Sequence, residues 1–158
     1  MKEKAFVITR ILLLVLIFAT LAFIFTQSSL SKKKSSQQSE AVGDVLEEII
    51  PPDTKPGAVI HKNIRKIAHF VEFWALGAEV AVYSLLFVKR AKFSLLTLPL
   101  ALATALLDET VQIFSKRGPS ISDVWLDFSG FLCASALVYG IALLISFIRR
   151  KTSKKTVE

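Results

Sequence analysis

Four apolar runs decide the solvent in which this chain must fold. Residues 5–26, 67–88, 93–114 and 123–148 are each predominantly apolar, and about 20 such residues carry an α-helix across the hydrocarbon core of a bilayer. The expectation is an all-α, polytopic membrane protein, a bundle of four transmembrane helices forming a single membrane domain over residues 1–158. Composition agrees: 53% of the residues are hydrophobic and twelve are Phe. The formal net charge of +7 comes largely from Lys and Arg at the ends of the runs. That placement reads as membrane flanking, with no nucleic-acid partner expected. The one cysteine, Cys133, lies inside the fourth run, so no internal disulfide forms and the redox compartment stays open.

Charge inside the runs is the next constraint. The third run contains Asp108 and Glu109, and after the turn at 115–119 the fourth opens with Asp123 and Asp127. A carboxylate in hydrocarbon costs several kcal/mol unless it is paired, hydrated or turned inward. Four of them at one hairpin therefore mark a candidate site. The second run adds to it. At 100° per residue, Arg65, His69, Glu72, Leu76, Glu79 and Tyr83 share a sector of about 80°, while Ile67, Phe70, Val71, Phe73 and Trp74 occupy the other sides. In the third run, beyond a kink expected at Pro99, Ala101, Thr104, Ala105, Asp108 and Gln112 share a face. Small residues beside polar ones let a neighbouring helix approach closely. The fourth run repeats this with Asp123, Asp127, Gly130 and Ala134. Glu109 sits about 100° round from Asp108 and is expected to have different neighbours.

Plainer readings stand beside these. His69 alone would be an interfacial histidine, and Glu79 a packing residue in mid-membrane. Ser120 and Asp123 have the spacing of a capping box, in which Asp123 would only complement the helix dipole.

Before the polar runs, Lys2 and Lys4 lead into an apolar segment interrupted only by Arg10, read as an uncleaved spanning helix. The outer loop, residues 27–66, starts as a Ser/Lys/Gln-rich flexible linker. A short amphipathic helix is expected within it over residues 41–50, N-capped by Ser39, ended by Pro51-Pro52 and lying on the membrane surface. Because directions alternate, the polar parts of the last three runs fall on one side of the membrane. Apart from Arg10, ten Lys/Arg flank one side and nine the other. The first group hugs helix ends at Lys89, Arg90, Lys92 and the basic tail 149–158, which places both termini in the cytoplasm of a multi-pass cell-membrane protein.

The segments RKIAHFVEFWALG at 65–77 and DETVQIFSKRGPSISDVWLDFSG at 108–130 resemble the two signatures of the VanZ-like family of bacterial membrane proteins. With the first helix and loop they cover nearly the whole chain. One departure is Ser115-Lys116-Arg117-Gly118, where members commonly read Pro-Gly-Arg; Arg117 keeps the arginine. The resemblance implies a protein of the cell envelope. The founding member is associated with teicoplanin resistance, by a mechanism that is not established.

Three functions fit these residues. The first is binding of a lipid-linked cell-wall precursor or another anionic envelope molecule at the outer interface. Arg65 and Arg117 would hold anionic groups, within a site of Arg65, His69, Glu72, Asp108, Glu109, Gln112, Arg117, Asp123 and Asp127. The second is a membrane-embedded hydrolase or transferase, with His69, Glu72, Asp108, Glu109 and Asp127 as acid, base or metal-ligand candidates. The third is ion-coupled transport through Glu79 and the outer acids. His69 and Glu72 at i, i+3 with an aspartate would hold a divalent ion, but one His among carboxylates is a weak metal signature, so no metal or cofactor is expected. Against all three stands a scaffold of buried ion pairs.

Overall fold

Long apolar blocks give long helices. In a computed structural model the chain forms α1 (Lys2–Ser29), α2 (Lys32–Glu47), α3 (Lys55–Phe87), α4 (Arg90–Phe114) and α5 (Ile121–Lys155). The structure describes residues 2–88, 90–115, 118 and 120–155, with side chains for 3–88, 97–115, 118 and 120–152. Among the described residues there is no strand. Four helices, α1, α3, α4 and α5, are long and apolar enough to cross a membrane.

The burial pattern is that of a bundle solvated by lipid. Leu12, Phe18, Leu143 and Phe147 point outward, as apolar side chains do when the surroundings are themselves apolar. Inside sit Ile24, Phe73, Leu76, Val80, Ala101, Ala105 and Phe131. The α4 face expected from spacing is the buried one, since Ala101, Thr104, Ala105, Asp108 and Gln112 are all enclosed. On α5 the same holds for Asp127, Gly130 and Ala134, while Asp123 is partly exposed.

Helix α3 is the centre of the bundle. It runs antiparallel to α1: Arg10 Nε donates to the Tyr83 hydroxyl (3.1 Å) and Thr20 donates to Glu79 Oε1 (2.9 Å). Beside α5 it runs parallel, with Ser135 Oγ donating to the Gly77 carbonyl (3.1 Å) and Ser84 paired with Tyr139 (2.8 Å). At that crossing the backbones nearly touch. A Cβ on Gly77 would collide with the Phe131 backbone, and one on Gly130 would lie 2.6 Å from the Phe70 carbonyl oxygen. Phe73 is therefore enclosed, because α3 buries a second face against α5 beside its polar stripe.

The region between the first two spans departs from expectation. The expected linker is largely helix: α1 continues to Ser29 and α2 already begins at Lys32, with Ser31 rather than Ser39 at its N-cap. Ser39 lies mid-helix and donates to the Ser35 carbonyl (3.0 Å). Lys, Gln and Glu are good helix formers, which outweighs the linker-like polarity. The helix ends at Glu47, ahead of Pro51-Pro52. Helix α3 starts at Lys55, where Thr54 accepts from the Gly57 amide (3.1 Å) and proline stands in the first turn. Asn63, at φ −116° and ψ 16°, breaks the helix before the span proper. His61 Nε2 meets the Ile50 carbonyl (3.0 Å), so the segment before this break is fastened to the end of α2. The basic turn expected at 89–92 lies partly outside the described residues, and α4 runs helical through Pro99.

Candidate functional site

One end of the bundle carries α2, the end of α4 and the start of α5; the other carries the chain termini. At the first, here the loop end, the polar faces of three spans converge. Spacing of four residues stacks Arg65 over His69 on α3, and Asp108 below Gln112 on α4. Antiparallel packing then matches them. Arg65 donates to the Gln112 side-chain oxygen (2.9 Å), and Gln112 Nε2 donates to Asp108 Oδ2 (2.8 Å). This relay fixes the orientation of the Gln112 amide, since the guanidinium has no acceptor to offer. Asp108 is fully enclosed, and its other oxygen accepts from Ser28 of α1 (2.6 Å).

His69 stands between two acids. Its Nδ1 lies 3.8 Å from Asp108 Oδ2 and 3.9 Å from Asp127 Oδ1. Asp127 is 1% exposed. Among the described residues neither of its carboxylate oxygens has a hydrogen-bond partner, nor has Oε2 of Glu72. A lock of tight ion pairs would look different: the Lys66–Asp123 contact is long, at 3.9 Å, and half-exposed.

Of the sequence-predicted residues, Arg65, His69, Asp108, Gln112 and Asp127 form the inner group, and Glu72 borders it from α3. Glu109 turns elsewhere, as its phase requires. It is buried, and Oε1 accepts from the Ser120 amide, tying α4 to the start of α5. The capping box expected of Ser120 and Asp123 is therefore not what forms: Glu109 takes the Ser120 amide, the Ser120 hydroxyl pairs with Ser122, and Asp123 faces Lys66. Arg117 lies outside the described residues.

Among the described residues, three open clefts border this group. The largest, about 420 Å³, runs between α2 and α3 and is lined by Gln27, Ser35, Gln38, Arg65, His69 and Glu72 among others. It shares Val42, Ile64, Ala68 and Glu72 with a neighbouring groove of about 310 Å³ that is otherwise walled by Leu46, Ile60, Ile67 and Val71. On the other side of Arg65 a cleft of about 190 Å³ is bordered by Lys62, Lys66, His69, Gln112 and Asp123. Sequence reasoning missed Ser28, Ser35, Lys62 and Lys66, all within its outer loop. For Ser28 a signal existed, because Thr20, Ile24 and Ser28 recur at four-residue spacing and continue the α1 face inward.

The fold and this geometry define a four-span helical membrane protein with a carboxylate-rich polar group enclosed at one end. Within that class a family model for VanZ/LLP1 matches residues 6–146, nearly the whole chain, and the chain belongs to that family. No curated protein and no solved structure matches it.

Proposed function

We propose that this VanZ-family membrane protein binds an anionic, lipid-linked molecule of the cell envelope at the loop end. The observation that carries the reading is the joining of unlike clefts around Arg65. Lys62, Arg65 and Lys66 gather three cations beside one opening, suited to a phosphate or pyrophosphate. The adjoining groove offers Leu46, Ile60, Ile64, Ile67 and Val71, suited to an acyl or prenyl chain. An amphiphile with a charged head and an apolar tail matches both. Within the family this ligand class gives a route by which the protein would alter the response to teicoplanin-type glycopeptides.

Such a ligand is expected from the outer leaflet, with both termini in the cytoplasm. In a Cys133→Ala background, cysteines introduced at Ser36 and Ser115 label with an impermeant reagent in intact cells, and one at Thr152 does not; the reverse pattern turns the protein over.

Binding is tested with full-length protein in detergent, using a polyprenyl phosphate and the polyprenol of equal length as probes, read by native mass spectrometry. The phosphate is retained about tenfold more tightly than the alcohol, as expected of a charge-assisted contact, and Arg65→Met removes most of that preference. Equal retention of the two probes by the wild type refutes the reading. Hydrolysis or transfer on the same molecule is the second reading, favoured by His69 standing between two enclosed acids; release of inorganic phosphate from the probe would establish it. Transport has less support, since the buried Leu76 separates Glu72 from Glu79 along α3.

A further inference from the structure

The cationic clefts account for Arg65 and the lysines but give Asp127 nothing to do. This carboxylate is enclosed, and among the described residues no hydrogen bond reaches either oxygen. Asp108, Asp123, Glu109 and Glu72 all stand close enough to oppose its charge. An enclosed carboxylate crowded by others calls for a cation. His69, Asp108 and Asp127 each offer one ligand atom, and these atoms lie within 4.8 Å of one another.

We infer that His69, Asp108 and Asp127, from α3, α4 and α5, form a divalent-metal site at the floor of the clefts. The donor set selects the ion. Imidazole favours zinc and its neighbours over calcium or magnesium, and carboxylates extend the range to manganese, so the site takes Zn²⁺ or Mn²⁺. Bonds of about 2.0–2.2 Å to zinc place donor pairs about 3.3–3.6 Å apart around a tetrahedral ion. The present separations of 3.8 and 3.9 Å from His69 Nδ1 need only a small approach. Asp127, which no hydrogen bond holds among the described residues, is the ligand that moves.

Asp108 is already set as an outer shell sets a metal ligand. Ser28 and Gln112 each donate to it, and Arg65 fixes Gln112 in turn. His69 also borders both polar clefts, so the remaining coordination positions face the space where an anionic ligand would enter. Glu72, paired with His69 in the metal reading of the sequence, falls outside this group of donors. The inference stands apart from the ligand proposed above, because metal binding is measured with no lipid present.

The test uses the full-length protein in detergent, stripped with a chelator, desalted, then loaded with Zn²⁺ or Mn²⁺ and desalted again. Elemental mass spectrometry gives the metal retained, and thermal unfolding reports the fold in the same samples. The wild type retains a single equivalent and unfolds at a higher temperature when loaded. Asp127→Asn removes a ligand without adding bulk and lowers affinity by about 100-fold or more; Gln112→Ala, acting only through Asp108, lowers it by about 10–100-fold. A folded wild type that retains no equivalent of either ion overturns the inference. So does an Asp127→Asn protein that retains metal as the wild type does.

Discussion

Both ends of the bundle bury polar side chains, but on opposite terms. Toward the termini, two buried hydroxyls have direct partners: Ser84 pairs with Tyr139, and Ser135 donates to the Gly77 carbonyl. Beside them α3 and α5 meet almost backbone to backbone where Gly77 faces Phe131. At the loop end, Asp127 and one oxygen each of Glu72 and Glu109 are enclosed with no hydrogen-bond partner among the described residues. Glu79 lies between the extremes, with Thr20 holding one oxygen and none of the described residues bonded to the other. A buried polar group left unmatched costs about 1–3 kcal/mol. The unmatched groups of the loop end thus weigh against stability, where the paired hydroxyls toward the termini do not.

The comparison is most easily broken at the crossing. Gly77→Val forces a side chain into the Phe131 backbone and is expected to cost about 3 kcal/mol or more, as overpacked cores do. The protein should disappear from the membrane fraction, and what remains should unfold early in detergent. A variant as heat-stable as the wild type would mean that the two helices do not cross there. At the loop end the sign reverses. Asp127→Asn removes a carboxylate whose charge Asp108, Asp123, Glu109 and Glu72 oppose, and relief of that repulsion should raise the stability of chelator-treated protein by about 1 kcal/mol or more, measured by thermal or denaturant unfolding. Destabilisation by a similar amount would show that Asp127 belongs to the scaffold, and the contrast between the ends would fail. The smallest effect is at the Ser84–Tyr139 contact. A double-mutant cycle of Ser84→Ala and Tyr139→Phe should give a coupling of about 0.6 kcal/mol, the usual worth of a hydrogen bond between membrane helices. A coupling near zero would remove that pair from the account of the terminal half.

Much of the loop end is legible in the sequence. Charge in a lipid-facing run is so unfavourable that Asp108, Glu72 and Asp127 had to face inward, and helical spacing says which residues share that face. The buried set from Ala101 to Gln112 followed from this alone. Connections between helices were less legible. Ser28 sits where the composition turns to Ser, Lys and Gln, so it reads as linker although it is enclosed and bonded to Asp108. Polarity marks the end of an apolar run, not the end of a helix. The Arg10–Tyr83 bond is similar: a lone arginine near the start of a run announces that it needs a partner but not which one. The α3–α5 crossing was half visible, because Gly130 lay on a predicted face while Gly77 faced no recognisable partner until Phe131 was placed against it.

The two hydroxyls of α1 have a consequence for how the chain is made. The most apolar windows belong to α1 and α5, and the acidic helices α3 and α4 are the less apolar ones between them. During synthesis α3 emerges carrying Glu72 and Glu79 before α4 or α5 exists. Helix α1 precedes it in the chain, and Thr20 is positioned to receive Glu79. When α4 follows, Ser28 is there for Asp108. A helix that looks like a simple anchor thus offers one hydroxyl to each of the two acidic helices that follow it in the chain.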